Sequence, residues 1–436
     1  MFYTKRMAEL FAMDTPKRKT NRRKYYWYLL ELGGLITNWD PRYYIWTIAY
    51  LIVQLILGFY FLICFLVSVF KAVNLMGMCV YLNLFALLML STFMLIVTIL
   101  LQEKLLIFTS VADDAFYEYG NSLTRTEEIR QMNENAAKMR KMMFIIAPSW
   151  ISLVALSIML SDLVDVAFSY PASNETVING IDQRLPCKMW IILPIDNIIV
   201  RLLTILAQGV CFGGAAVVIG TADLIMFFSG QTLVIQLKIL NMAVLDTDKR
   251  AAKLYETNLG RKPPSEPSEK SKDLQLMGFY EFCLKQTVEH HCAILRYVVI
   301  YSELINWPGG LMVINGSIVV AMSMLSLMQG GGQPSVLITS CLLIVAEVAS
   351  IFMVCEVGET VTDQCRELFD SMYQFKWMDC SAEIGKSINI MKSYMIKRPI
   401  VLTAGSLTPI DRNTFGAMMN TAYSYMNLVM ASGAVD

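Results

Sequence analysis

YIWTIAYLIVQLILGFYFLICFLVSVF, residues 44–70, carries no charged side chain from end to end. A helix rises about 1.5 Å per residue, so the run reaches about 40 Å and clears the ~30 Å of bilayer hydrocarbon. Outward from it, comparable runs lie near 77–101, 142–164, 191–228, 296–327, 336–356 and 408–431, which makes seven. In lipid each backbone polar group must be satisfied within the segment, so each run reads as a helix. The composition agrees: 56% hydrophobic and 17% charged residues with mean hydropathy +0.50, against about a quarter charged in soluble domains. The fold class expected is an all-α integral membrane protein of seven transmembrane helices.

Orientation follows from the basic residues beside the spans, which stay in the cytoplasm. Lys5, Arg6, Lys17, Arg18, Lys19, Arg22, Arg23, Lys24 and Arg42 precede the first span, and Lys104, Arg125, Arg130, Lys138, Arg140 and Lys141 lie between spans two and three. The alternate connections are poor in them: Lys71 after span one, Arg184 and Lys188 between three and four, none in MQGGGQPS (328–335). The N-terminus is therefore expected in the cytoplasm and the C-terminus outside. The sequon Asn174-Glu175-Thr176 falls on the outer side, a candidate glycosylation site or a chance match. TPKRKTNRRKYY (15–26) lacks the build of a cleaved signal peptide, so the first span is expected to target the chain. A metabotropic seven-helix receptor is the competing reading, and it would turn the basic loops outward.

The organisation expected is a cytoplasmic N-terminal segment 1–43, spans one to four over 44–228, helical extensions with a disordered insert (RKPPSEPSEKSKD, 261–273) over 229–295, spans five and six over 296–356, a cytoplasmic segment 357–407, and the last span with the C-terminus over 408–436. Lys and Arg balance Asp and Glu at 36 each, so no charge excess points to nucleic acid. No phosphate loop, nucleophile elbow or HExxH is present, and the two histidines, His290 and His291, point to different helix faces, so neither enzyme, cofactor nor metal is expected. The ten cysteines lie in or beside apolar runs apart from Cys187, which implies no external disulfide framework.

Ionisable residues inside spans are costly and face protein or water. Arg201, Asp223, Glu347, Glu356 and Glu359 are such residues, readable as a polar pathway or as inter-helix pairs. In the last span Asn413, Asn420, Ser424 and Asn427 recur at helical spacing without a charge between Asn413 and Ser432. That stripe must meet another helix or water: it is a packing seam or, in four copies about an axis, a neutral hydrated pore with little selectivity among cations. The outer halves of spans two to six hold Tyr81, Phe85, Trp150, Ser157, Ile199, Leu202, Asn315 and Thr339. They suit a pocket for a volatile organic ligand, and equally the packed core of any helical bundle.

The C-terminal third carries Cys355 and Gly358, Tyr373 and Trp377, Pro399 with Leu402-Thr403-Ala404-Gly405, Thr414-Phe415 and Tyr423-Ser424-Tyr425. With LPID (193–196), Asp223 followed by Gln236-Leu237, and CLKQTVEHHCAILRY (283–297), this pattern resembles the insect odorant receptors, from about the first span to the end and most specifically over the last hundred residues. The resemblance implies a tetrameric odorant-gated cation channel with a cytoplasmic anchor built from the inner ends of helices four to seven. It further implies an odorant pocket in the outer half of each subunit and a pore lined by the last helix. Carried onto this sequence, the gate falls near Leu428, with Thr421, Ser424, Asn427 and Ala431 nearby; Leu428 lies beside Asn427, so this face differs in part from the polar stripe. A tuning subunit paired with the family's shared co-receptor, in the plasma membrane of a sensory dendrite, is implied; a gustatory-type channel of the same superfamily is the alternative.

Overall fold

The computed structural model describes residues 41–101, 116–168, 176–193, 196–264, 273–329, 333–374 and 381–431. The element order is α1 (Pro41–Lys71), α2 (Leu75–Leu100), a 3-10 turn (Gly120–Ser122), α3 (Thr126–Met159), α4 (Ser161–Ala167), strands β1 (Val177–Ile178), β2 (Ile181–Asp182) and β3 (Met189–Trp190), α5 (Ile198–Leu245), α6 (Thr247–Leu259), α7 (Leu274–Gln329), α8 (Pro334–Gln374), α9 (Ala382–Lys397), β4 (Thr403–Ala404), β5 (Thr408–Pro409) and α10 (Arg412–Ala431). Asn174 lies outside the described residues, as do Trp377 and most of the insert.

Six helices, α1, α2, α3, α5, α7 and α8, are long and apolar enough to cross a membrane. The seventh, α10, has 20 residues and so spans about 30 Å, but its polar groups keep it less apolar than the others. Local chemistry sets the ends. The Asn197 side chain accepts from the Ile199 N–H at the start of α5, Ser381 does the same for Ile384 at the start of α9, and Gly260, at φ +65°, stops α6 in the left-handed region.

Helices α5, α7 and α8 run 48, 56 and 41 residues, about 72, 84 and 62 Å, far beyond the hydrocarbon. Their surplus gathers at one end of the bundle with α6, α9 and the start of α3. There Arg125 pairs with Asp246 at 2.7 Å, Thr124 donates to the same carboxylate, and Lys249 lies 3.3 Å away. Burial raises the Asp246 carboxyl, and these cationic and hydroxyl partners carry it below the ordinary value. The elements whose basic residues mark them as cytoplasmic are thus assembled into one body, the anchor.

The anchor's core joins Leu233, Leu237 and Leu240 of α5, Tyr297 and Tyr301 of α7, Leu368 of α8, and Ile384 and Ile388 of α9. A second core, built on Phe61, Phe65, Leu88, Met189, Val319 and Leu343, fills the outer half. Helix α7 threads both, packing against α2, α5, α6, α8 and α10. Trp46, Ile56, Phe59, Ile63 and Phe70 project from α1 away from either core, the surface expected of a helix whose solvent is lipid.

His290 is fully buried between α3's leading segment and α5: its ring nitrogens meet the Tyr119 hydroxyl at 2.9 Å and the Gln236 amide oxygen at 3.0 Å, and Tyr117 stacks on it. Burial, then the neighbouring His291 and Arg250, lower its pKa to about 3; burial lowers that of His291 to about 4. Both are neutral structural residues of the anchor, and among the described residues no three His, Cys, Asp or Glu gather as a metal site.

Candidate functional site: an outer cavity and an uncovered helix

At the end opposite the anchor lies a cavity of about 370 Å³ between α2, the α3–α4 junction, the loop from β1 to β3, and the start of α8. Three devices build it. Asn179 and Gly180, at φ 50° and 79°, make the two-residue turn between β1 and β2, the geometry that matches strand twist. The resulting sheet lies over the helices: the Trp190 N–H donates to Ser68 at 2.8 Å, Lys71 sits over the Trp190 ring, and Gln208 exchanges hydrogen bonds with both the N–H and the C=O of Cys187. Across the cavity, Asp165 of α4 accepts from the Ser335 N–H at 3.0 Å, the Ser335 hydroxyl at 2.9 Å and the Gln333 amide at 2.8 Å. A carboxylate at a helix N-terminus satisfies orphaned donors and complements the dipole, so α8 is capped by a side chain of α4, distant in sequence.

The apolar part of the wall includes Val80, Leu84, Ile158, Ile181, Val336 and Leu343. Polar side chains make up nearly half of the lining, among them Asn74, Tyr81, Asn83, Gln183, Thr339 and Lys188, the last paired with Asp162 at 3.1 Å. A mixed lining of this kind has the chemistry to accommodate a small organic molecule that carries both apolar and polar groups.

Of the eight pocket residues expected from sequence, Tyr81 and Thr339 border the cavity, and Ser157 receives the Thr339 hydroxyl at 3.2 Å just behind the wall. Phe85 and Trp150 pack in the adjoining outer core. Asn315 is buried on α7 away from the lining, with neither amide atom hydrogen-bonded. Ile199 and Leu202 do not border the cavity; they are 63% and 55% exposed on the outer surface of α5. Helix α5 is apolar around most of its circumference near that end, so periodicity could not tell its lipid face from its bundle face. Sequence reading gave no site role to Asp165, Gln208 or Lys188, because a polar residue near a span end carries no mark of the cavity it shapes.

On α10 only Met418 and Ala422 are buried against the rest of the chain. Asn413, Ala417, Asn420, Thr421, Ser424, Leu428 and Ala431 are exposed, and at 100° per residue they fall on one arc of about 100°, flanked by the exposed rings of Tyr423 and Tyr425. Asn427 sits half-buried at its edge. The polar stripe and the Leu428 face are therefore two shoulders of a single uncovered surface. Thr421 and Ser424 hydroxyls donate to the carbonyls of Ala417 and Asn420, each at 2.8 Å, which leaves their oxygens as weak acceptors on that surface. At its inner end α10 is tied to α8, with Arg412 gripping Glu356 in two bonds of 2.8 and 2.6 Å and Phe415 edge-on to Phe352.

Deeper in the bundle, Ser350 donates to Asp223 at 2.7 Å, whereas Glu347 is buried against α7 beside Gly316 and near Met418 of α10.

Comparison with known proteins agrees with this architecture. The model of the family described as 7tm Odorant receptor matches residues 51–423. Odorant receptor 22b of Drosophila melanogaster is 27% identical over 150 residues, 34% of this chain and 36% of that protein. Odorant receptor 94a of the same species is 25% identical over 83 residues, 19% and 21% of the two chains. These aligned stretches span about a fifth to a third of the curated relatives' length. Among solved structures, the insect olfactory receptor OR5 from Machilis hrabei superposes with TM-score 0.71 in its complex with eugenol, at 12% identity over 93% of this chain and 97% of that one; a second structure of the same receptor gives 0.70 at 12% identity over 93% and 96%. At that identity the likeness speaks for the seven-helix fold. The match of the family model over most of the length decides the rest: this chain is a multi-pass membrane protein of the 7tm Odorant receptor family.

Proposed function

We propose that the chain is the odorant-binding subunit of a tetrameric, ligand-gated, non-selective cation channel in the plasma membrane, opened by a volatile organic ligand in the outer cavity. The observation that carries this reading is the uncovered arc of α10, uncharged from Asn413 onward, which a single chain leaves facing away from its own bundle. Hydrocarbon is a poor solvent for its amides and hydroxyls, and four copies about an axis would enclose them around water. The solved relative's complex with eugenol supports a small organic ligand, and the cavity has the size and lining for one.

Helix α8 supplies the link. Its first turns carry Ser335, Thr339 and Leu343 on the cavity, and Phe352 and Glu356, further along the same rod, hold the base of α10. A ligand that packs better against one position of α8 than another shifts the equilibrium of α10 by that difference in affinity. Family kinship supports a shared co-receptor as the partner in the tetramer. The test is whole-cell current in a heterologous cell expressing the chain with and without that co-receptor, under a panel of esters, alcohols, aldehydes and terpenes with G-protein signalling blocked. A rapid cation current that requires the co-receptor is expected; ligand responses that vanish with the G-protein block would make the receptor metabotropic.

A further inference from the structure

Arg140 is a half-buried cation on α3 that makes no hydrogen bond or ion pair with any described residue, and its Nε is shut away from solvent without an acceptor. Its depth is fixed by its neighbours. Met139 accepts from the Gln231 amide of α5, Phe144 stacks on Phe228 at 5.3 Å, and the Tyr297 phenol of α7 donates to the Ser229 carbonyl. Residues 228–231 are where α5 leaves its apolar span, so the guanidinium lies at the cytoplasmic boundary of the hydrocarbon, turned toward the crevice between α3, α5 and α7. Lys141 is exposed on its shoulder, also without an ion pair among the described residues, while Met142, Ile145 and Ile146 project outward directly above. The acidic residues of α3 are occupied or distant: Glu127 and Glu134 both pair with Arg130, further into the cytoplasm.

A partly desolvated guanidinium without a counter-charge among the described residues is costly, and an anion reaching this depth would relieve it. We propose that Arg140, with Lys141, seats the headgroup phosphate of an anionic phospholipid from the cytoplasmic leaflet, its acyl chains lying along the apolar face of α3. The planar fork of arginine matches two phosphate oxygens at once, basic crevices between helices on this side of the membrane suit such headgroups, and the exposed methionine and isoleucines are the surface the chains would cover. The proposal rests on the inward orientation of the basic ends and is independent of the channel reading.

The test uses the full chain in nanodiscs of phosphatidylcholine with either phosphatidylserine or phosphatidylinositol 4,5-bisphosphate, counting retained lipid by native mass spectrometry. Wild type is expected to retain the anionic lipid over phosphatidylcholine. Arg140→Gln is expected to lower that retention about fivefold, the contribution of one basic residue at the surface. Arg140→Lys should lose less, and Arg130→Gln, in the water-exposed part of the same helix, should lose nothing. Equal retention of neutral and anionic lipid by wild type, or undiminished retention by Arg140→Gln, would overturn the proposal. So would full displacement of the lipid by soluble inositol trisphosphate, which would make this a site for free phosphate. If Arg140→Gln does not fold, the wild-type preference and Arg140→Lys decide.

Discussion

Asn306 of α7 and Ser406, in the turn just before α10, exchange two hydrogen bonds: the Asn306 carbonyl-type side-chain oxygen accepts the Ser406 N–H at 2.5 Å, and its amide donates to the Ser406 hydroxyl at 2.7 Å. The Asn306 backbone carbonyl also accepts the Gly405 N–H at 2.7 Å. Ser406 is held at φ +57°, so the contact supports a conformation that a serine disfavours. Pro308, two residues on in the same helix, has no N–H to give to the Leu304 carbonyl one turn back.

Asn306→Ala should therefore loosen the seat of α10, destabilising the protein by about 1–3 kcal/mol, the cost of side-chain bonds whose partners are left behind. Melting of the purified protein in detergent checks the loss, and the ligand concentration for half-maximal current should shift with it. An unchanged melt together with an unchanged dose response would show that the turn is held elsewhere.

Gly358 of α8 lies where the chain entering α10 passes closest, and a side chain there would collide with the Ile410 carbonyl oxygen and its carbon. Backbone cannot rotate aside as a side chain can. Gly358→Ala is expected to cost more than about 3 kcal/mol and to abolish surface expression, measured by surface biotinylation. Gly416→Ala, with open space at its Cβ, is the matched control and should express normally.

Within the cavity, Thr339→Val keeps the shape and removes the hydroxyl that donates to Ser157. Tyr81→Phe removes the phenol facing the same space. Each should shift the half-maximal ligand concentration by about three- to tenfold for ligands bearing a hydrogen-bonding oxygen, with little change for hydrocarbons of like size. Equal shifts for both classes would place the effect in packing and not in recognition.

Cysteines introduced singly at Thr421, Ser424 and Leu428 should react with a charged methanethiosulfonate reagent and block current when channels are open. Cysteines at Met418 and Ala422, buried against the bundle, should not. Leu428→Ala should raise the current without ligand, since a smaller side chain admits water where an apolar one excludes it.

Acid should weaken the anchor first. His290 has its pKa lowered from 6.5 to about 3 by burial, so between those values the unfolded chain binds the proton that the folded one refuses. The stability present above pH 6.5 is lost as pH falls, by about 2 kcal/mol at pH 5 from this residue alone. Asp246, also lowered, adds its share only below its unfolded value near 3.8. Melting should thus hold from pH 8 to 7 and fall between pH 6.5 and 5, with a shallower fall in His290→Gln; a flat profile across that window would contradict the buried neutral imidazole.

Spans, direction and family were legible in the sequence because each rests on long, strongly biased stretches. Lys and Arg counts were enough to show which ends gather in the anchor. Gly358 was visible as part of a motif, though the reason for it is the carbonyl of Ile410, more than fifty positions away. The cavity was legible only in part. Tyr81 and Thr339 border it and Ile199 and Leu202 do not, yet all four sit in apolar helix ends with the same local pattern; what separates them is how α2, α5 and α8 are rotated about their axes. Asp165 capping α8 and Gln208 tying α5 to the sheet are long-range contacts without a sequence signature. On α10 the two candidate faces looked like rivals as letters, and the arc of exposure joins them.

The bare arc of α10 also bears on how such a protein lives in a cell. On the proposed tetramer, a lone chain would present a file of amides and hydroxyls to fatty acyl tails, and its native state would be reached only in company. Under that proposal, synthesis of one subunit without its partners should leave it stranded in the endoplasmic reticulum and short-lived, and the number of receptors a cell displays would be rationed by whichever chain is scarcer. A newly duplicated gene copy would then be free to drift in its outer cavity, yet bound to its old companions through this one surface.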